Sequence, residues 1–291
     1  MNIGIIGFGL IGASLAHAWK KNNPDTVIFA GDINDAHLRV ARDRNLADHT
    51  TQDVRKLAQE CEIIFLCVPP RTMGTIAREI GPRLRKGAIV SDVGSVKDYV
   101  IKEIGPHIPD HAHFIPGHPV AGKETSGPQD GFAELFKGRS YVLTPLENTP
   151  REKIDTLAEL IALTGANIVE MDAKTHDTAL GFTSHMPHVL AFSAMIQSEN
   201  LSQDLGLDIS QFNGGSYEDM TRVATADMAM WRDVFLTNSD NIKTVVHNVI
   251  EQMEGLLTLM DEKDLSGLEQ TIDKARALKQ DQNDKKARKR L

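Results

Sequence analysis

Three glycines near the start of the chain, Gly7, Gly9 and Gly12, have the spacing G-x-G-x-x-G. A short apolar run precedes them and a helical pattern follows, so they occupy a strand-to-helix turn. The first glycine allows a sharp turn, the second lets a pyrophosphate approach the backbone, and the third lets the helix pack closely on the sheet. Free N–H groups at the helix N-terminus would bind the phosphates. The pattern predicts a dinucleotide-binding site; its alternative is a purely structural glycine turn.

Asp32 ends the second apolar run, 20 residues after Gly12. A carboxylate at this place in a dinucleotide-binding fold hydrogen-bonds the hydroxyls of the adenosine ribose, and it repels a 2′-phosphate. Residues 33–35 contain no arginine that could bind such a phosphate. These residues favour NAD over NADP as the cofactor, unless Asp32 is an ordinary aspartate at a strand end.

His118 and Ser95 are the candidates for acid–base chemistry. Each follows a predicted strand, and polar residues that follow parallel strands meet at one edge of the sheet, here beside the nicotinamide end of a bound dinucleotide. Hydride removal from an alcohol needs an acceptor for the hydroxyl proton, and histidine is the commonest choice near neutral pH. The alternatives are that His118 caps backbone groups in a loop and that Ser95 only caps a helix.

A second group of polar residues lies in the later, helical part of the sequence. His185 and His188 flank Pro187, which lacks an N–H group and predicts a helix kink. Two histidines beside a kink indicate a binding site, but no third metal ligand is apparent and we predict no metal. Arg222 could bind a carboxylate through two hydrogen bonds, with Asp219 one turn earlier to hold it. A surface ion pair would explain this last pair equally well.

These residues must be positioned by two kinds of structure. Up to residue 171, apolar runs of strand length alternate with helical patterns, which is typical of an α/β fold with a parallel, doubly wound sheet. After that only helical patterns remain. We therefore predict a Rossmann-type dinucleotide-binding domain over residues 1–171 and an all-helical substrate and dimerisation domain over 172–291. Residues 285–291 carry five positive charges, and we expect a disordered basic tail from about residue 280 to 291.

One predicted helix in the second part carries a long apolar stripe. Its main positions recur at alternating intervals of four and three residues. A stripe of this width must be buried, either inside the same chain or against a second copy. Its positions are Ile242, Val246, Val249, Met253, Leu256 and Met260, with Val245, Ile250 and Leu257 beside them.

The bulk composition argues against several classes of protein. The chain has 291 residues, 41% of them hydrophobic, which is enough for two domains. The net charge of −8 argues against nucleic acid as a partner. No apolar run approaches about 18 residues and no basic and apolar leader is visible, so we expect a soluble, cytoplasmic protein without a membrane segment. Cys61 and Cys67 flank one predicted strand and cannot reach each other to form a disulfide.

Taken together, the motifs resemble those of the prephenate/arogenate dehydrogenases of tyrosine biosynthesis. The resemblance extends over about residues 2–269 and depends on the order and combination of the motifs. They are residues 7–14, 65–69, 92–97, 117–122, 184–188 and 221–233. The resemblance implies an NAD-dependent oxidative decarboxylation, in which a cyclohexadienol loses a hydride and CO2 and becomes a phenol.

The resemblance also implies roles for single residues. His118 would accept the hydrogen bond of the substrate's 4-hydroxyl group, and Ser95 would orient His118. Arg222 would bind the ring carboxylate, with Asp219 at the position that steadies it. Binding and placement would come from Arg222, while departure of the hydride would drive the loss of CO2.

The remaining residues implied by the resemblance line the pocket or the cofactor site, and the family forms its dimer through the helical domain. His185 and His188 match pocket histidines, and Trp231 matches a pocket aromatic that a partner subunit could supply. Glu124 matches a gating carboxylate near the substrate. The expected cofactor contacts are Gly7, Phe8, Gly9, Leu10, Ile11, Gly12, Asp32, Val68, Pro69 and Ser95.

Two other readings of the sequence remain open. Dehydrogenases that act on β-hydroxyacids or reduce imines share this plan but usually rely on a lysine in the helical domain, and here Lys174 and Lys243 lie outside any motif. A dinucleotide sensor without turnover would not require Ser95, His118 and Arg222 together. The choice between prephenate and arogenate as substrate is also open.

Overall fold

The computed structural model describes residues 1–123 and 125–288. The chain forms two compact units, Met1–Ile242 and Lys243–Leu291. Both cysteines, Cys61 and Cys67, are free thiols. Within the described ranges, no helix combines the length and the apolar composition that a membrane span needs.

The first unit is built on a parallel sheet of six strands. Their order is β3-β2-β1-β4-β5-β6, so the chain reverses its direction of winding between β1 and β4. This is the order of a Rossmann-type fold, which places a ligand crevice at that reversal and confirms the predicted α/β class. Of these six strands, only the short β3 was not predicted from the sequence. The strands are β1 (Asn2–Ile6), β2 (Val27–Gly31), β3 (His49–Thr51), β4 (Ile63–Leu66), β5 (Ile89–Asp92) and β6 (His113–Phe114).

Two hydrophobic cores cover the two faces of this sheet. On β4, Ile63 and Phe65 point into one core, while Ile64 and Leu66 point into the other. A strand that is buried on both faces must be apolar at every position, which explains its unbroken hydrophobic run. The accompanying helices are α1 (Leu10–Asn22), α2 (Asp35–Asp43), α3 (Val54–Glu60), α4 (Pro70–Ile80), α5 (Lys97–Ile104) and α6 (Arg151–Ala162).

A second sheet of three strands departs from the predicted alternation. It consists of β7 (Gly117–Pro119), β8 (Ser140–Leu143) and β9 (Asn167–Glu170), with β7 antiparallel and β9 parallel to β8. The sequence analysis placed His118 in a turn after a strand. In the structure His118 is itself part of a strand and lies opposite Val142 in the ladder. Its backbone is therefore held by the ladder.

The chain becomes helical after β9, as predicted. A π-helical turn, Gly181–His185, comes immediately before Pro187, at the place where the sequence predicts a kink. In this turn the Met186 N–H donates to the Gly181 carbonyl, one residue further back than in an α-helix. The helices are α7 (Ala173–Leu180), α8 (Met186–Leu205), α9 (Gly215–Thr221), α10 (Met228–Thr237), α11 (Ser239–Asp261) and α12 (Leu265–Arg288).

The end of the chain differs from the predicted disordered tail. Helix α12 continues to Arg288, and residues 289–291 lie outside the described residues. Oppositely charged side chains three or four positions apart support this helix. Arg276 pairs with Asp273, and Lys285 pairs with Asp281 at 2.5 Å. The expectation of disorder overlooked these pairs, since it considered only the run of positive charge.

The apolar stripe of α11 is unevenly buried. Ile242 and Val245 are each only 7% exposed, whereas Met253 is 47% and Met260 55% exposed. Leu257, which widens the stripe, is also exposed. The stripe is thus buried at its start and exposed at Ile250, Met253, Leu257 and Met260, four of its nine positions.

Candidate active site

The turn between β1 and α1 has glycine at three positions for different reasons. Gly7 has φ = +91°, and a Cβ atom there would lie 2.4 Å from the Cys67 carbonyl oxygen. At Gly12 a Cβ would lie 2.3 Å from the Gly7 carbonyl oxygen. Around the Cβ position of Gly9, by contrast, no described atom outside Gly9 and its two chain neighbours lies within 4 Å. The fold thus requires the outer two glycines, while the middle one borders open space at the N-terminus of α1, where a pyrophosphate can bind.

Asp32 lies beside this turn and is held in place by its neighbours. Its Oδ2 atom accepts a hydrogen bond from the Phe8 N–H at 2.7 Å, and Nδ1 of His37 lies 3.1 Å from the same atom. Its Oδ1 atom accepts the Asn34 N–H at 2.8 Å. The carboxylate is therefore oriented before any ligand arrives, at the end of β2 where a ribose is expected.

The other predicted cofactor residues surround the same turn. The Phe8 side chain is fully buried in the core, so only its backbone can face a ligand. Val68 directly adjoins Gly7, since a Cβ at Gly7 would lie 2.7 Å from the Val68 Cγ1 atom. Pro69 is exposed and caps α4, while Leu10 and Ile11 are partly buried at the start of α1.

A buried ion pair joins the β5–α5 turn to β7. Lys97 and Asp92 are both 0% exposed, with 2.5 Å between Nζ and Oδ2. Lys97 Nζ also donates to the Gly117 carbonyl oxygen, and the Gly117 N–H donates to Asp92 Oδ1 at 3.2 Å. Burial lowers the pKa of Lys97, and the charge of Asp92 opposes this shift. The pair thus hydrogen-bonds both the N–H and the carbonyl group of Gly117, the residue before His118.

Ser95 lies half-buried in the β5–α5 turn. It does not cap the helix, because α5 has Val96 at its N-cap position and its first N–H groups bind Asp177 of α7. The N–H groups of Lys97 and Asp98 donate to the two oxygens of Asp177 at 2.7 and 2.9 Å. The Val96 side chain packs against Trp231 of α10, so the Ser95 turn meets the helical region.

His118 is connected to two residues that the sequence analysis missed. Its Nδ1 atom lies 2.8 Å from Nε2 of His176, and Nδ1 of His176 lies 2.7 Å from Oδ1 of Asp177. All three side chains are buried. Burial, reinforced by the proximity of His176, Lys97 and His185, holds the pKa of His118 well below its usual value. His118 is therefore neutral near pH 7 and available as a base.

Asn238, which directly follows α10, extends this network to His185. Its Nδ2 atom donates to the Asp177 carbonyl oxygen at 2.9 Å and lies 3.0 Å from Nδ1 of His185. Because an amide nitrogen can only donate, Nδ1 of His185 accepts and the ring hydrogen lies on Nε2. Burial lowers the pKa of His185 to about 4. His185 is thus a neutral hydrogen-bond donor.

Trp231 connects His185 to His188. Its ring stacks on His188 with 3.4 Å between centroids and meets His185 edge-on at 5.9 Å. Trp231 therefore contacts both of these histidines within its own chain. His188 Nδ1 binds the Ser184 carbonyl oxygen at 2.9 Å. Burial lowers the pKa of His188, and the nearby charge of Arg222 contributes to this shift.

Arg222 borders a cavity of about 600 Å³, a size typical of small-molecule sites. Phe192, Met195 and Ile196 of α8 form its apolar side. Asp219 lies exposed on α9, one turn before Arg222. Glu124, the predicted gating carboxylate, lies outside the described residues. The structure thus joins His118 to the surroundings of Arg222 by a series of neighbouring side chains. They are His176, Asp177, Asn238, His185, Trp231 and His188.

His176 and Asp177 could not be recognised from sequence spacing, and neither could the buried pairing of Lys97 with Asp92 inside the motif 92–97. The available signal was weak: an adjacent His-Asp pair in the middle of a helix, and a Lys five residues after an Asp. Their importance follows from burial and from contacts between distant segments, which no local pattern reveals.

The parallel sheet order, the glycine turn and the oriented Asp32 together define a dinucleotide-binding oxidoreductase fold. Two family models match the chain: "Prephenate dehydrogenase, nucleotide-binding domain" over residues 15–170 and "Prephenate dehydrogenase, dimerization domain" over residues 172–274. The chain therefore belongs to the prephenate dehydrogenase family.

Individual relatives agree with this assignment. The chain is 37% identical to the cyclohexadienyl dehydrogenase of Zymomonas mobilis subsp. mobilis, covering 90% of this chain and 89% of the relative. Its structure is similar to that of A. aeolicus prephenate dehydrogenase in complex with hydroxyphenyl propionate and NAD+, with a TM-score of 0.90, 27% identity and coverage of 97% and 98%. Synechocystis arogenate dehydrogenase has a TM-score of 0.82, 26% identity and coverage of 96% and 99%.

Proposed function

We propose that this protein catalyses the NAD-dependent oxidative decarboxylation of prephenate, arogenate or both, giving 4-hydroxyphenylpyruvate or tyrosine in tyrosine biosynthesis. The observation that carries the proposal is the series of side-chain contacts from His118 to His188, whose pKa the nearby charge of Arg222 helps to lower. One end offers a neutral base beside the dinucleotide crevice, and the other offers a cation beside a cavity of substrate size. The names of the relatives support the same reaction.

NAD is the proposed cofactor, and the residues present fit it. Open space beside Gly9 accommodates the pyrophosphate, and the fixed carboxylate of Asp32 accepts hydrogen bonds from the ribose hydroxyls. The same negative charge repels the 2′-phosphate of NADP. When bound, NAD accepts the hydride that leaves C4 of the substrate.

His118 is the group that accepts the 4-hydroxyl proton in the proposed reaction. As the C4 hydride leaves, Nε2 of His118 takes the proton of the 4-hydroxyl group and a ring carbonyl forms. The bond between the ring and its carboxylate then breaks, CO2 departs, and its electron pair enters the ring. The carbonyl oxygen recovers a proton and the product is a phenol. Ser95, in the neighbouring turn, is proposed to orient His118 and to contact the hydroxyl group.

Arg222 is proposed to bind the ring carboxylate, with Asp219 steadying it. The pairing positions C4 against the nicotinamide. His185, His188 and Trp231 are proposed to line the substrate pocket, and a neutral His185 can donate a hydrogen bond to a substrate oxygen. Glu124 keeps its proposed role as a carboxylate near the substrate.

The domain organisation and assembly are part of the same proposal. Residues 1–171 would bind the dinucleotide, and residues 172–291 would complete the substrate site and form a homodimer. The exposed part of the α11 stripe, which includes Met253, Leu257 and Met260, supports dimerisation through this helical region. The free thiols of Cys61 and Cys67 fit a cytoplasmic location.

An absorbance assay for NADH tests the function directly. Purified protein is given NAD with prephenate, arogenate or a β-hydroxyacid in parallel, and the same set is repeated with NADP. We expect turnover with prephenate or arogenate and none with the β-hydroxyacid. Turnover of the β-hydroxyacid alone would indicate the related dehydrogenase class, and NAD binding without turnover would indicate a sensor.

The His118→Asn variant provides the mechanistic control. It removes the base and leaves the glycine turn and Arg222 unchanged. We expect kcat to fall about 100-fold or more, the usual contribution of a positioned base, with little change in KM. A large rise in KM with kcat unchanged would contradict the role proposed for His118.

A further inference from the structure

We infer that His176 is a positioning residue that, with Asp177, holds His118 in the tautomer whose hydrogen lies on Nδ1, and so leaves Nε2 of His118 as the proton acceptor. This inference deepens the proposed function and rests on it for its catalytic consequence. The three side chains lie in line, with hydrogen bonds of 2.8 and 2.7 Å between successive members.

The direction of hydrogen-bond donation along His118, His176 and Asp177 is fixed at Asp177. The N–H of Lys97 donates to Oδ1 and the N–H of Asp98 donates to Oδ2, so both oxygens already act as acceptors. These two N–H groups belong to the first turn of α5, where the helix dipole favours a negative charge. Two N–H donors at a helix N-terminus favour the ionised carboxylate, which has no hydrogen to donate. Oδ1 must therefore also be the acceptor in its contact with His176.

The tautomers of the two histidines follow from this direction. Because Oδ1 of Asp177 accepts, Nδ1 of His176 carries a hydrogen. In a neutral imidazole the other nitrogen then has a lone pair, so Nε2 of His176 accepts from Nδ1 of His118. The same rule leaves Nε2 of His118 without a hydrogen. The acceptor atom Oδ1 of Asp177 thus determines, through His176, which nitrogen of His118 is basic.

Once His118 has taken a proton, its hydrogen bond to His176 offsets part of the effect of burial, which disfavours the charged ring. The charged ring keeps its Nδ1–H bond to His176, and the His176 dipole is aligned by the carboxylate of Asp177. Among the described residues, the other groups that shift the pKa of His118 are Lys97, whose charge is paired with Asp92, and His185, which is neutral near pH 7. Asp177 is thus the negative group toward which the new charge is directed.

The tautomer can be measured without any substrate. Protein labelled with ¹³C and ¹⁵N in histidine is examined by NMR, and the His118 signals are identified by their loss in His118→Asn. We expect His118 to carry its hydrogen on Nδ1 in the unaltered protein. In His176→Leu, which removes the acceptor, we expect the hydrogen on Nε2. A hydrogen on Nε2 in the unaltered protein would overturn the inference.

Kinetics separate positioning from a merely structural role. We expect His176→Leu to lower kcat about 100-fold with KM and NAD affinity within about threefold of the original. His176→Gln, whose amide oxygen can still accept from Nδ1 of His118, should recover at least about tenfold of that loss. His111→Gln, a histidine remote from the site, serves as the control and should change nothing.

The outcomes distinguish this inference from the proposed function. Equal loss of activity in His176→Gln and His176→Leu, or a His118 tautomer that does not respond to His176→Leu, would overturn the role of His176. If the unaltered protein turns over neither prephenate nor arogenate, the proposed function fails, while the NMR result still decides the tautomer. Should His176→Leu not fold, the tautomer of the unaltered protein and the kinetics of His176→Gln provide the test.

Discussion

Lys97 and Asp92 form an ion pair, 2.5 Å between Nζ and Oδ2, in which neither side chain is exposed to solvent. Both members also bind the backbone of Gly117, one at its N–H and the other at its carbonyl group. A charged pair in the interior is costly to form and more costly to break, since the remaining member is left buried and unpaired. Its position suggests that it holds the His118 strand against the β5–α5 turn.

Breaking this pair should destabilise the protein severely. We expect Lys97→Met to lower the free energy of unfolding by about 3–5 kcal/mol, the usual cost of leaving a buried partner uncompensated. The matched control is Lys102→Met, because Lys102 pairs with Asp98 on the exposed side of the same helix at the same 2.5 Å distance. That change should cost less than about 1 kcal/mol. Urea unfolding of both variants at one protein concentration makes the comparison, and equal losses would contradict it.

The glycines of the turn should respond in opposite ways to a methyl group. Gly12→Ala places Cβ 2.3 Å from the Gly7 carbonyl oxygen, so we expect a loss of about 3 kcal/mol in stability. Gly9→Ala meets no described atom outside Gly9 and its two chain neighbours within 4 Å and should leave the melting temperature unchanged. Its methyl group instead enters the space proposed for the pyrophosphate. NAD titration followed by fluorescence should show at least about tenfold weaker binding for Gly9→Ala, or 1.4 kcal/mol.

Asp32 should determine the choice between NAD and NADP. Replacement by Asn removes the charge that repels a 2′-phosphate and keeps the size of the side chain. We expect the ratio of kcat/KM for NAD over NADP to fall at least about tenfold, which corresponds to 1.4 kcal/mol. Asp35→Asn, at the exposed start of α2, is the control and should leave the ratio nearly unchanged. An unaltered ratio in Asp32→Asn would remove Asp32 from the cofactor site.

Arg222 should contribute to substrate binding more than to chemistry. A charge-assisted hydrogen bond is worth about 1.5–3 kcal/mol, so Arg222→Ala should raise KM about 10- to 100-fold with a smaller effect on kcat. Arg222→Lys should recover part of the affinity, because it keeps the charge but loses the paired hydrogen bonds. Arg151→Ala, an exposed arginine of α6, is the control. A fall in kcat at constant KM would point to a different role.

Burial of neutral histidines should make the protein sensitive to acid. The pKa of His185 is lowered to about 4 in the folded chain, against about 6.5 when unfolded. Between these values the unfolded chain binds more protons, so stability falls as the pH drops from about 6.5 towards 4, by up to about 3 kcal/mol for His185 alone.

Urea unfolding at pH 7, 6 and 5 measures this loss. His185→Gln should show a shallower decline, whereas His247→Gln, at an exposed position of α11, should follow the original protein. The pKa values of His118 and His188 are lowered in the same direction, so some acid sensitivity will persist in His185→Gln. Identical pH profiles for His185→Gln and the original protein would contradict the assignment.

The sequence by itself determined the class of fold and the family. Local rules suffice for a strand, a glycine turn and a helix, because each depends on neighbouring residues. The apolar run of β4 and the spacing from Gly12 to Asp32 therefore predicted the dinucleotide-binding half, and the helical periodicity predicted the rest. The local composition also predicted a kink near Pro187, where the structure has a π-helical turn.

Only the tertiary structure decided how the base is supported. His118 and His176 are 58 residues apart, and Asp177 reaches across to α5, so their contact depends on how β7, α5 and α7 pack together. The same packing separated β7, β8 and β9 into a second sheet, because strand partners are chosen by long-range pairing that local patterns do not record. Burial, which shields Lys97 and Asp92 from solvent and lowers the pKa of His118, is likewise a property of the assembled core.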